Sequence, residues 1–150
     1  MSSSTGQAAQ DPERRVIRIG GAEAADFLQS ILTSDMEALS PGETRASALL
    51  TPQGRILADM MVLRVEDGFM LDCDASRADD LFARLRRYKL RRPVTLEILD
   101  DHQLWVGWNG DAMPRGASTD PRHPALGWRW IGPAGSGPET ASGSGPANID

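Results

Sequence analysis

The sequence has very little that could form covalent or metal cross-links. It contains one cysteine, Cys73, and two histidines, His102 and His123, among 150 residues. A single cysteine cannot form a disulfide within the chain and is typical of proteins from a reducing compartment. The histidines have no partner at the spacing of a metal site. We therefore predict no metal ligands and a cytoplasmic location.

Long apolar runs and an excess of positive charge are also lacking. No stretch approaches the roughly 20 apolar residues that cross a bilayer. The first residues, Met1 to Asp11, lack the basic and apolar segments of a signal peptide. The formal net charge of −5 lacks the basic excess typical of nucleic-acid-binding proteins. The sequence predicts neither a membrane nor a nucleic-acid partner.

What remains is the pattern of a globular domain, with 40% apolar and 25% charged residues. Apolar residues recur at helical spacing in two segments and alternate or cluster as in strands elsewhere. The predicted helices are Ala22–Leu32 and Ser76–Leu90, and the predicted strands are Val16–Ile19, Arg45–Leu50, Arg55–Val65, Phe69–Cys73, Val94–Leu99, Gln103–Trp108 and Leu126–Ile131. This order predicts an α+β fold with an antiparallel sheet and two main helices. We expect residues 1–14 to be a disordered leader, 15–131 the domain, and 132–150 a flexible Gly/Pro/Ser linker or tail.

The most informative segment is a predicted hairpin around Asp67-Gly68. A two-residue loop there pairs Val62 with Cys73 and Met61 with Asp74. One face of the hairpin is then apolar, and the other carries Asp59, Asp72 and Asp74 among apolar residues. A carboxylate in such a row is costly unless it is paired or hydrogen-bonded, and neighbouring carboxylates raise one another's pKa.

Two interpretations of this row remain open. The carboxylates can hydrogen-bond the ring nitrogens or amide of a heteroaromatic ligand, or the face is solvent-exposed and the aspartates are hydrated. A register error of one residue would also change the pairs.

Four segments, in order, resemble one family. They are DFLQSILTSD (26–35), ALLTPQGRILADM (48–60), LRRYKLRRPV (85–94) and DPRHPALGW (120–128). Together they resemble the N-terminal part of the folate-binding proteins of the YgfZ type, which are distantly similar to the glycine-cleavage aminomethyltransferases. The resemblance implies the antiparallel aminomethyltransferase-like fold around a tetrahydrofolate cavity, and a role in the assembly or repair of iron–sulfur enzymes.

The resemblance also implies a binding site. Asp59 matches the aspartate that contacts folate, and Asp74 matches a polar position at the end of the next strand. Leu57 and Met61 flank Asp59 and are expected to line the ligand. Thr33 and Asp35 either line the cavity or satisfy local turns. No catalytic residue is predicted.

Departures from the family pattern bear on function. Transferases carry an acidic residue where this chain has Ala58 and an aromatic around Ala46, which favours the YgfZ-like branch. The cysteine signature of that branch, which follows the DPR segment, is absent, so we expect a truncated or incomplete protein. The leading interpretation is a tetrahydrofolate-binding accessory protein whose partners are folate and iron–sulfur enzymes. The alternatives are a one-carbon transferase and an inactive fragment, and whether the chain is an enzyme stays open.

Two further features allow two interpretations each. Six of the nine residues 84–92 are basic, which indicates either an anion site or a solvated helix end. The four tryptophans alternate on two late strands, where they either pack or stack on a pterin.

Overall fold

The computed structural model describes residues 7–108, 113–121, 127–133, 135 and 137–138. Within them the chain forms, in order, β1 Gln7–Asp11, β2 Arg14–Gly20, α1 Ala24–Ile31, β3 Thr44–Leu50, β4 Ile56–Val65, β5 Gly68–Asp74, α2 Ala75–Lys89, β6 Thr95–Leu99, β7 His102–Trp108, β8 Ser118–Thr119 and β9 Gly127–Pro133. Residues 122–126 of the DPR segment, leader residues 1–6 and most of the predicted tail lie outside the described residues.

The described strands form two antiparallel sheets. The main sheet has the order β3-β4-β5-β2-β6, and the small sheet has the order β1-β7-β9-β8. The predicted α+β class, with antiparallel pairing and two helices, is confirmed. The division into two sheets was not predicted, because β1 and the two-residue strand β8 carry little periodic signal.

Both helices cover one face of the main sheet. Their apolar stripes, with Phe27 and Leu28 on α1 and Leu81 and Leu85 on α2, are buried. They pack on alternate strand residues, namely Ile17, Ile19, Met60, Val62, Phe69, Leu71 and Cys73. Burial raises the pKa of the Cys73 thiol to about 11, so this thiol stays protonated at neutral pH.

The opposite face of the main sheet is covered in part by the small sheet. Arg129 of β9 reaches Asp72 of β5 with Nη2–Oδ distances of 2.5 Å, and Ser118 Oγ lies 2.5 Å from Thr44 Oγ1. Side chains alternate along a strand. Trp128 and Trp130, next to Arg129, therefore lie on the outer face of the small sheet.

Three tryptophans of the small sheet, Trp105, Trp128 and Trp130, pack against their own sheet. Trp105 and Trp128 form a buried cluster with Ala8. A Cβ on Gly107 would approach the Trp128 ring to 2.1 Å, and one on Gly132 would approach the Trp130 ring to 2.1 Å. The two glycines leave room for flat rings, which supports the packing interpretation of these tryptophans.

The predicted boundaries at both ends of the domain need correction. Residues 7–11 and 14 lie in strands rather than in a disordered leader, since β1 pairs with β7 from Gln7 to Asp11. β1 is an edge strand that is held by backbone hydrogen bonds and by the burial of Ala8. Its sequence has no apolar periodicity, so the strand could not be predicted from it. At the other end, Gly132 and Pro133 belong to β9 and not to the tail.

The predicted hairpin exists with a different register. Val65 pairs with Gly68, Val62 with Leu71 and Met61 with Asp72, so the loop is Glu66-Asp67. Each partner is shifted by two residues from the predicted pairing. Since side chains alternate with a period of two, the predicted faces are nevertheless correct.

Candidate functional site

Asp59 lies on β4, on the face of the main sheet that the helices do not cover. It is exposed, and within the described part of the chain its carboxylate has no hydrogen bond or ion pair. Leu57 and Met61 lie two residues away on the same face; Leu57 is half-buried and Met61 is 7% exposed. The three side chains thus form a row with a free carboxylate between two apolar groups.

The strands beside this row carry small or charged side chains. On β3, Ala48 pairs with Asp59 and Ala46 pairs with Met61. On the other side, β4 pairs with β5 from Val65 back to Met61, which lies opposite Asp72. The residues of β4 before Met61 have no partner on β5. The methyl groups of the two alanines project only a short distance from β3. A flat molecule therefore has room to lie against the sheet beside Asp59.

Asp74 has a local partner at the start of α2. It is the N-cap residue of this helix. Its Oδ1 accepts hydrogen bonds from Ser76 N at 2.8 Å and Ser76 Oγ at 2.6 Å. The Ser76 hydroxyl, the Ser76 amide and the nearby Arg14 and Arg77 lower the pKa of Asp74. The expectation that neighbouring carboxylates raise this pKa is therefore wrong.

Thr33 and Asp35 hold the chain beside β3. The Thr33 hydroxyl accepts a hydrogen bond from Ala48 N at 3.1 Å, and Thr33 N donates to Ala48 O at 3.0 Å. Asp35 Oδ1 accepts from Ala38 N at 3.1 Å within a turn. Thr33 therefore lies in one row with Ala48 and Asp59, and Asp35 lies in the turn that follows.

A buried ion cluster next to the row was not predicted. Asp72 is 1% exposed and Arg129 is 4% exposed, and Asp72 also accepts from Arg14 Nη2 at 2.7 Å. Arg14 lies in the segment taken for a disordered leader, and Arg129 alternates with tryptophans. The alternation could have revealed Arg129, because a residue between two tryptophans that share one face of a strand must point to the opposite face.

Among the described residues, a cleft of about 510 Å³ lies at the far end of the main sheet. Its lining includes Arg18, Gly20, Arg64 and Phe69, and none of the six predicted site residues contributes to it. Arg64, the one charged residue on the helix-covered face of the hairpin, stacks over the Phe69 ring at 5.0 Å. It also donates to Leu39 O at 3.1 Å.

The described residues contain neither a cluster of metal-ligating side chains nor a membrane-spanning helix. No group of three or more His, Cys, Asp or Glu residues there is arranged to hold a metal ion. Neither of the two described helices is both long and apolar enough to cross a membrane.

Residues 13–110 match the family of the GCVT N-terminal domain. The chain belongs to this family. The match contains the row around Asp59, both helices and the whole main sheet.

Similar proteins fall into two groups. One includes "Iron-sulfur cluster assembly factor IBA57 homolog, mitochondrial" from Pyricularia oryzae, which is 34% identical over 134 residues, 80% of this chain and 34% of that protein. The human "Iron-sulfur cluster assembly factor IBA57, mitochondrial" is 29% identical and covers 79% of this chain and 40% of its own length. The chain thus spans a little over a third of the length of these relatives.

The other group consists of solved structures. The aminomethyltransferase T of the glycine cleavage system from Bartonella henselae superposes with a TM-score of 0.63 at 26% identity, covering 69% of this chain and 28% of that one. The heterotetrameric sarcosine oxidase from Corynebacterium sp. U-96 superposes with a TM-score of 0.52 at 13% identity over 87% of this chain and 76% of that one. This last similarity concerns the fold alone.

The relatives also correct one prediction. The fungal and human assembly factors are named as mitochondrial proteins. The cytoplasmic location that we inferred from the single cysteine and the lack of a signal peptide is therefore wrong. A low cysteine content reports a reducing environment and does not separate one reducing compartment from another.

Proposed function

We propose that this chain supplies the tetrahydrofolate-facing part of an iron–sulfur cluster assembly factor of the YgfZ type, and that it acts by binding. Two findings support the proposal. The chain belongs to the GCVT N-terminal domain family, and similar proteins are named as iron–sulfur cluster assembly factors. The iron–sulfur enzymes that receive a cluster are the partners of the whole protein.

The proposal that the chain binds folate rests on the free carboxylate of Asp59. A carboxylate offers two acceptor oxygens, and a reduced pterin presents adjacent N–H and amino donors that match them. Met61 and Leu57 supply apolar contacts to the ring on either side. The small side chains of Ala46 and Ala48 on the neighbouring strand allow the ring to approach the sheet. The acceptor oxygens and the apolar side chains of this row match the donors and the flat ring of the pterin.

The other candidate residues have different parts in this proposal. Asp74 lies at the end of β5 on the same face, and its carboxylate already accepts from Ser76. We assign it to the rim of the site, because its side chain is exposed. Thr33 fixes the edge of β3 by its bonds to Ala48. Asp35 shapes the turn behind Thr33, so both position the row and do not hold the pterin themselves.

The test is the substitution Asp59→Ala in the complete protein. We expect tetrahydrofolate affinity in isothermal titration calorimetry to fall about 10- to 100-fold, the effect of losing a hydrogen bond to a charged group. The melting temperature should stay unchanged, because this carboxylate has no partner in the described chain. Asp79→Ala, another exposed aspartate at 85% side-chain exposure, should leave affinity unchanged. Unchanged affinity in Asp59→Ala would refute the assignment.

A one-carbon transferase is the second candidate, favoured by the superposition on aminomethyltransferase T. Against it, Ala58 stands where the transferases carry an acidic residue, and Ala58 is 7% exposed within the core. A transfer assay with tetrahydrofolate as acceptor separates the two. The accessory function predicts no turnover together with loss of iron–sulfur enzyme activity in cells that lack the complete protein. Turnover that Asp59→Ala abolishes would favour the transferase.

A further inference from the structure

The end of α2 forms an exposed tip, residues 86–91, on the side of the molecule where the helices lie. Leu90 is 75% exposed and Tyr88 is 41% exposed, although both are large apolar side chains. The buried stripe of α2 ends one turn earlier, at Leu85. Leu90 is the most exposed large apolar residue in the described part of the chain.

Leu90 also has an unfavourable backbone conformation. It has a φ of +48° and is the one residue other than glycine with positive φ among those described. A positive φ favours glycine, because the Cβ of any other residue is crowded against the backbone there. A strained residue persists only where its surroundings fix it, and strain of this kind clusters at functional positions.

The surroundings fix the tip from both sides. Before it, α2 is anchored in the core by Leu85. After it, Arg92 forms ion pairs with Glu23 and Asp26 at the start of α1, and Val94 is 4% exposed. The chain is therefore held rigidly on each side of a leucine that points into solvent.

The tip carries cations that have no counter-charge among the described residues. Arg84 and Arg92 have ion-pair partners. In contrast, no described residue supplies a carboxylate to the four cations of the tip itself, which are Arg86, Arg87, Lys89 and Arg91. Arg86 lies over the Phe82 ring at 6.0 Å, and Lys89 Nζ donates to Leu90 O at 3.4 Å. The tip thus combines one protruding apolar side chain with a local positive charge, on a chain whose net charge is −5.

We propose that this tip is a docking site for an acidic partner protein, which receives Leu90 and Tyr88 in an apolar depression and pairs carboxylates with Arg87 and Arg91. Exposed apolar residues rimmed by charge mark protein interaction sites, and arginine and tyrosine are enriched there. The rigid presentation of Leu90 lowers the entropy that binding must overcome. This surface is separate from the row around Asp59, so it does not depend on the folate proposal.

Other acceptors of positive charge fit the tip less well. An anionic bilayer would receive the exposed leucine but would repel a chain of net charge −5. A nucleic-acid backbone pairs with arginines but gives an aliphatic side chain no apolar pocket. The combination of leucine and arginines therefore favours a protein surface.

The test uses the full chain and a labelled peptide in which glutamates alternate with leucine and phenylalanine. Fluorescence anisotropy at 50 mM salt should detect binding that weakens as salt is raised. Leu90→Ala and the pair Arg87→Glu with Arg91→Glu should each weaken it about 10-fold or more. Ile56→Ala, which truncates another exposed apolar residue at 67% exposure, should leave it unchanged.

Leu90→Gly separates docking from a structural role. It removes the side chain and relieves the backbone strain, so we expect binding to fall as in Leu90→Ala while the melting temperature rises by about 2–6 °C. A fall in melting temperature would mean that Leu90 is structural and would overturn the proposal. Absence of peptide binding, equal binding of a glutamate–serine peptide, or the same residue dependence toward phosphatidylglycerol vesicles or duplex DNA would also overturn it.

Discussion

Three aspartates on one face of the main sheet differ because their immediate neighbours differ. Asp72 is buried between Arg14 and Arg129, Asp74 caps a helix, and Asp59 has no partner among the described residues. The sequence placed all three on the same face correctly. It could not distinguish them, because the partners of Asp72 come from β2 and β9, far away along the chain.

Removing the charge of Asp72 should destabilise the fold. Asp72→Asn leaves Arg129, which is 4% exposed, without its counter-charge, and breaking a buried pair in this way costs about 3–5 kcal/mol. Urea denaturation should show this loss in the free energy of unfolding. Asp79→Asn has the same charge change at an exposed position and should stay within about 0.5 kcal/mol of the native chain. Equal stability of the two variants would contradict a structural role for the cluster.

The helix cap at Asp74 predicts a pH dependence. The pKa of Asp74 in the folded chain is lowered from 3.8, chiefly by the Ser76 hydroxyl. A depressed folded pKa contributes stability above the unfolded pKa, and this contribution is lost as the pH falls through the folded pKa. Asp74→Ala should therefore lower the melting temperature at pH 7, and the difference from the native chain should shrink below the unfolded value near 3.8. A difference that stays constant between pH 7 and pH 3 would be inconsistent with capping by the carboxylate.

Strand elements show what a local pattern can and cannot predict. The alternation in β4 and β5 gave the correct faces, since apolar residues on one side reflect burial under the helices. It gave the wrong register, because the loop at Glu66-Asp67 differs from the Asp-Gly turn that the sequence favours. β1 was missed for another reason: it pairs at a sheet edge mainly through backbone groups, and Ala8 is its one buried side chain described.

The small sheet depends on glycine for the packing of its tryptophans. Gly132→Ala should push the Trp130 ring from its position, because the new Cβ would lie 2.1 Å from the ring. We expect a loss of about 1–3 kcal/mol in the free energy of unfolding and a shift of the tryptophan emission to longer wavelength. Gly20→Ala is the matched control in a strand of the main sheet, where the nearest side-chain atom is Thr95 Oγ1 at 3.0 Å. Similar losses and no emission shift in either variant would contradict the proposed packing.

At the scale of the whole molecule, the small sheet determines which part of the main sheet remains open. Arg129 of the small sheet covers Asp72, while Asp59, two residues along β4 from the residue opposite Asp72, remains exposed. The sequence could not predict this division, because it arises from contacts between distant segments. The resemblance to folate-binding proteins predicted Asp59 as a ligand-binding residue. The structure adds that its neighbours are apolar or small, which suits a flat ligand.

The central claim is that tetrahydrofolate binds against β4 at Asp59, and hydrogen exchange of the complete protein tests it most directly. With tetrahydrofolate bound, backbone amides in the segments 46–50 and 57–61 should exchange more slowly, because the ligand covers this part of the sheet. The basic segment 84–92 should be unaffected and serves as the internal reference. Protection confined to the segment 84–92 or to the tryptophan strands, with segments 46–50 and 57–61 unchanged, would contradict the claim.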